Sequence, residues 1–168
     1  SSKIPKFYLD IKKEIAANSK GETFFSSNVT LTKALNFVLA EVEKQGLDSL
    51  FKSIQRRADF TAEMIQLLGL KSYAKAKSAS LTAVVVPESI DGQKLRELIE
   101  TDFNLTLMGG QDQAKGKIVR IGHMGYILDE HLNQLATALY RSLEKMGYTP
   151  TTAFETYTQK LSEWVKTH

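Results

Sequence analysis

The feature that most constrains this chain is a change of period partway along it. Residues 29–45 carry Leu31, Ala34, Leu35, Val38 and Leu39 at helical spacing, and residues 47–68 continue with Leu50, Ile54, Ala58, Met64, Ile65 and Leu68. Gly46 and Gly69 follow the two stretches, where a residue without Cβ ends a helix most easily. Residues 81–86 then read Leu-Thr-Ala-Val-Val-Val, an apolar, β-branched run that Pro87 closes as it would a buried strand. A chain that opens in helices and then switches to strands must pack the one on the other. The expected class is α+β: a small, mainly antiparallel sheet with helices packed on it, preceded by long helices.

The remaining elements follow by the same reasoning. Phe7, Ile11 and Ile15 share one face of a helix over residues 7–17, and residues 18–28 form a polar loop. Asp91 caps a helix holding Leu95, Leu98 and Ile99. Leu105 and Leu107 alternate with Thr106 and Met108 in a short strand that Gly109-Gly110 breaks, and residues 118–121 supply another. Asp129 caps a helix running to Met146, which Gly147 ends, and Pro150 opens a last helix with Phe154, Leu161 and Trp164. Residues 1–69 form a helical segment and residues 70–168 the α+β domain.

Charge and composition narrow the function. The net charge is +3 with both signs interspersed, and Lys71, Lys75 and Lys77 sit among small residues in a solvated loop. Nucleic acid is therefore not an expected partner. No apolar run reaches membrane-spanning length, so no membrane partner is expected either. The amino terminus lacks a signal-peptide pattern, and its abrupt entry into a helix is compatible with a fragment of a longer chain. Cysteine is absent, which excludes disulfides, thiolate metal sites and a cysteine nucleophile, and fits the cytoplasm. His131 and His168 have no ligand-type neighbours at metal spacing.

The stretch richest in chemistry is Lys117-Ile118-Val119-Arg120-Ile121-Gly122-His123-Met124-Gly125-Tyr126. In a strand, Val119 and Ile121 share one face and Ile118 and Arg120 the other. If the first pair meets the helices, Arg120 points away from them, where its guanidinium suits a carboxylate bound through two parallel hydrogen bonds. The same residue also suits a structural ion pair at a strand end. His123 is either a turn histidine with a structural role or a contact to the site.

Arg120-Ile121-Gly122-His123-Met124-Gly125 resembles a signature of the class V, fold-type I aminotransferases, which use pyridoxal phosphate and include the serine–pyruvate and alanine–glyoxylate enzymes. Three other stretches agree with that family in order: Phe7-Tyr8-Leu9-Asp10 with Lys12-Lys13, Val85-Val86-Pro87-Glu88-Ser89-Ile90-Asp91-Gly92, and Gly109-Gly110-Gln111 with Lys115-Gly116-Lys117. Some cyanobacterial relatives in the family carry the label soluble hydrogenase subunit, but no cysteine or histidine constellation here suits a hydrogenase metal centre.

The resemblance implies that this chain is the carboxy-terminal part of such an enzyme, its helical segment linking from an absent large domain and facing the dimer. It implies that Arg120 binds the α-carboxylate of a small amino acid or 2-oxo acid. It also implies that the loop of Thr23 and Ser26 reaches the neighbouring subunit's cofactor phosphate in a homodimer. Phe24 and Ser27 stand where the family's loop has prolines, so an ordinary helix-entry loop is the alternative there. The family's Schiff-base lysine, pyridine-nitrogen aspartate and ring-stacking aromatic all precede the segment matched by Phe7 to Asp10. Lys3 lies too close to that segment to be the lysine, so the chain alone should not catalyse transamination. The rival reading is an autonomous α+β interaction module without catalysis.

Overall fold

The computed structural model describes residues 4–168, so Lys3 lies outside the described residues. The chain divides into two compact units, one ending at Leu47 and the other comprising Asp48–His168.

The first unit contains α1 (Ile11–Asn18) and α2 (Val29–Gln45). The expected helix from Phe7 begins later, because the Asp10 side chain accepts the Lys12 N–H at 3.2 Å and fixes the start at Ile11. Asn28 caps α2 in the same way, accepting from Leu31 N–H at 3.0 Å. None of the described residues of this unit is buried. Ile15, Leu35, Val38 and Leu39 are all more than half exposed, so the helical periodicity here builds an apolar face without building a core.

The second unit starts with α3 (Leu47–Leu67) and continues through β1 (Lys71–Ser72), β2 (Leu81–Val85), α4 (Gly92–Phe103), β3 (Met108–Gly109), β4 (Ile118–Gly122), α5 (Asp129–Lys145) and α6 (Phe154–Thr167). The four strands form one antiparallel sheet in the order β1-β2-β4-β3, with Val84 opposite Val119 at its centre. This is the expected α+β class. One face of the sheet, carrying Val84, Val119 and Ile121, belongs to a core shared with Leu95 and Ile99 of α4, Leu139 and Leu143 of α5, and Leu161 of α6. Fully burying such side chains contributes about 1.5–3 kcal/mol each, which makes this layer the main source of cohesion.

Several expectations need correction. The helical segment was expected to run to Gly69, but the second unit already begins at Asp48. Phe60, Met64 and Leu68 of α3 and its exit are buried in the core, and Phe60 meets Trp164 edge-on at 5.5 Å. The end of α3 is fastened as well. The Thr151 hydroxyl donates to Leu67 O at 2.8 Å and the Tyr148 hydroxyl to Leu68 O at 3.0 Å, satisfying carbonyls that a helix end leaves free. Gly69, at φ +77°, turns the chain out between these two hydroxyls.

Lys71 is not in a loop but in β1, paired with Val85. The strand expected over residues 105–108 shifts to Met108–Gly109: Asn104 ends α4 in the left-handed region, and the chain pairs with β4 only at Met108 and Gly109, opposite Arg120 and Val119. Asp129 does not cap α5. It lies in the first turn and pairs with Arg56, while the His131 ring accepts the Leu128 N–H at 3.1 Å. Pro150 precedes α6 by four residues and does not open it.

The turn after β3 is tight enough to be tested. A Cβ on Gly110 would run into the carbonyl oxygen of Ala114 and sit 2.8 Å from Ile118 Cγ1, whereas one on Gly122 meets nothing within 4 Å. Gly110→Ala should therefore cost about 1–3 kcal/mol, as overpacking against backbone does, and Gly122→Ala should be close to neutral. Urea-unfolding midpoints of the two variants check this; equal midpoints would contradict it.

Candidate functional site

The site is built on β4. Val119 and Ile121 are 1% and 3% exposed in the helix-facing core, so the strand's alternation sends Arg120 to the opposite face. There it is half-buried, with Ala83 and Met108 as its cross-strand neighbours. Its Nε donates to Gly109 O at 2.8 Å. Among the described residues no carboxylate lies within ion-pair distance of it. The structural ion pair that the sequence left open is thus not formed among them. Arg120 lines a cleft of about 230 Å³ together with Arg96, Lys115 and the glycines of the Gly109-Gly110 turn. Such an arrangement can present two parallel N–H donors to an anion.

His123, three residues beyond Arg120 and just past the end of β4, is structural. It is 1% exposed, its Nε2 lies 2.9 Å from Thr82 Oγ1, and its N–H donates to Ser80 O at 3.0 Å. Arg57 Nη1 donates to the His123 carbonyl at 2.8 Å and to Gly125 O at 3.3 Å, tying α3 to the turn after β4. Burial, with the Arg57 charge beside it, lowers the imidazole to about 4 from its ordinary value.

Thr23 and Ser26 lie together in the loop before α2, in the first unit, whereas Arg120 lies in the second. The Thr23 hydroxyl donates to Phe25 O at 2.6 Å, and Ser27 donates to Thr23 Oγ1 at 3.3 Å. Ser26 is exposed, and its hydroxyl makes no hydrogen bond among the described residues. Glu14 holds the loop from α1 by accepting the Phe24 N–H at 3.2 Å, and Phe7, Tyr8, Phe24 and Phe25 pack as one aromatic cluster. Phe24 and Phe25 are therefore half-buried against neighbours of their own unit.

Arg57, Arg96 and Glu14 were not singled out from the sequence. Each acts on a backbone group remote in sequence, and a side-chain-to-backbone partner leaves no motif to read.

No family model matches the chain. Over 148 residues it is 36% identical to the small subunit of a soluble hydrogenase of Synechococcus, covering 87% of this chain and 38% of that protein. Over 147 residues it is 32% identical to an uncharacterized aminotransferase of Methanocaldococcus jannaschii, covering 84% and 38%. A serine–glyoxylate aminotransferase of Methylorubrum extorquens is 27% identical over 128 residues, covering 74% and 32%. The crystal structure of pyridoxamine–pyruvate aminotransferase from Mesorhizobium loti superposes on 97% of this chain and 42% of its own, with a TM-score of 0.86 at 21% identity.

The fold is that of a part of these aminotransferases. The homologues are aminotransferases of the serine/alanine–glyoxylate type, some of them carrying soluble hydrogenase names, and the chain spans about 38% of the length of the first two, which fits a carboxy-terminal fragment.

The state of His123 predicts a pH dependence. Its folded value lies below the unfolded value of 6.5, so the unfolded chain takes up the proton first. The stability it contributes is fully present above pH 6.5 and is lost as pH falls toward about 4, a change on the order of 3 kcal/mol. His123→Gln, which keeps a partner for Thr82, should flatten the fall in melting temperature between pH 7 and pH 4.5. Parallel curves for variant and wild type would contradict the assignment.

Proposed function

We propose that this chain is the carboxy-terminal part of a pyridoxal-phosphate-dependent aminotransferase that moves an amino group between a small amino acid and a 2-oxo acid, with Arg120 as its carboxylate anchor. The observation that carries the reading is an arginine fixed at Nε by the Gly109 carbonyl, aimed away from the helical core and left without a carboxylate among the described residues. With Nε engaged, the two terminal nitrogens remain as a pair of donors, the geometry that matches the two oxygens of a carboxylate.

The loop of Thr23 and Ser26 fits a phosphate in its chemistry. The Ser26 hydroxyl is a free donor among the described residues, and rotation about one bond releases the Thr23 hydroxyl from Phe25 O. When bound, pyridoxal phosphate supplies an electron-withdrawing ring that stabilises negative charge on the substrate carbon. This chain would contribute phosphate contacts from Thr23 and Ser26 and the carboxylate grip of Arg120. The apolar face of α2, uncovered within its unit, suits contact with the large domain and with a second copy in a homodimer. No described helix is long and apolar enough to cross a membrane.

In the complete enzyme, Arg120→Ala should weaken the amino-acid substrate by roughly 2–5 kcal/mol, the cost of truncating one partner of a desolvated charged pair. Cofactor affinity should stay almost unchanged. Arg120→Lys should recover only part of the loss, because an ammonium keeps the charge but not the fork. Substrate KM and melting temperature of the three proteins decide the matter. A lower melting temperature with unchanged KM would make Arg120 a structural residue.

A further inference from the structure

We infer that Arg96 of α4 is a positioning residue for Arg120, acting through the edge strand β3; the inference rests on the anchor reading of Arg120 given above. β3 is two residues long and lies at the edge of the sheet, with β4 as its one neighbour. A strand so short is held weakly by its ladder alone, since it offers Met108 and Gly109 as its paired residues. Two arginines hold it from outside the ladder. Arg96 Nε donates to Leu107 O at 2.6 Å, and Arg120 Nε donates to Gly109 O at 2.8 Å. Carbonyls two residues apart along an extended chain point to the same side, so both guanidiniums take the same row of acceptors.

They also meet at Gly109. Gly109 pairs with Val119, so a side chain there would face the helices, and the place of its Cβ is taken by the Arg96 guanidinium, with Nη1 at 2.9 Å and Cζ at 3.4 Å. Arg96 therefore packs against the backbone whose carbonyl orients Arg120. Gln93, one turn earlier on α4, accepts from Arg96 Nη1 at 3.0 Å and fixes the guanidinium plane. The Gln93 amide in turn donates to Glu97 at 3.0 Å. Among the described residues neither arginine has a carboxylate within ion-pair distance, so the polar partners that orient them are backbone and amide oxygens. The linkage runs from α4 through Arg96 to Leu107 and Gly109, and from the Gly109 carbonyl to the Arg120 fork.

The test is a double-mutant cycle in the complete enzyme, with Arg96→Ala, Arg120→Ala and the pair, reading KM for the amino-acid substrate and melting temperature. Loss of one orienting hydrogen bond predicts a KM for Arg96→Ala raised roughly fivefold to tenfold. That increase should vanish when Arg120 is already alanine, while any fall in melting temperature persists. Arg96→Lys, which keeps a donor for Leu107 but not the guanidinium packing against Gly109, should fall between wild type and Arg96→Ala and covers the case in which the alanine variant does not fold. An unchanged KM in Arg96→Ala and Arg96→Lys, beside a raised KM in Arg120→Ala, overturns the inference and leaves the anchor reading standing. The same fold increase in the Arg120→Ala background also overturns it, because Arg96 would then act by its own charge. An unchanged KM in Arg120→Ala overturns the anchor reading, and the inference with it.

Discussion

The pairing of β4 between β2 and β3 is the constraint on which the rest of this structure depends. With Val119 opposite Val84 and Arg120 opposite Ala83, the strand's period of two seals Val119 and Ile121 into the helical core and leaves Arg120 on the other face. A slip of one residue would bury the guanidinium and expose the valine and isoleucine. The cohesion of the core and the placement of Arg120 are therefore one fact: the hydrophobic surface that stabilises the unit also fixes which way the arginine points.

The two units differ in how they meet their apolar surface. The second buries its aliphatic residues against one another and ties its turns with hydroxyls and arginines on backbone carbonyls, as Tyr148, Thr151 and Arg57 do. It even satisfies its most buried phenol, Tyr157, whose hydroxyl donates to Ala136 O at 3.0 Å and whose burial pushes it above the ordinary tyrosine range. The first unit has helices with sound caps and an aromatic cluster, but none of its described residues is buried. Its helices are well started and poorly covered, which suits a segment that belongs against more of the protein.

Legibility in the sequence followed the strength of the local signal. α2 was readable to the residue, because a long apolar stripe and a terminal glycine agree; its capping asparagine appears only in the structure. The orientation of Arg120 was readable once Val119 and Ile121 are placed against the helices, which the structure does. β1 and β3 were not, because two-residue strands carry no period and exist only through their partners. The domain boundary was misplaced for a related reason: the stripe on α3 looks like that on α2, and only tertiary packing of Phe60, Met64 and Leu68 distinguishes a core helix from an uncovered one. His123 left both readings open in the sequence, and its contacts with Thr82 and Arg57 show the structural one.

The most direct measurement is a crystal structure of the complete enzyme with an amino-acid substrate or its 2-oxo acid bound. The account predicts the ligand's α-carboxylate on the two terminal nitrogens of Arg120, with Nε still on the Gly109 carbonyl. A carboxylate held by other residues, with Arg120 turned to a structural partner, would contradict it.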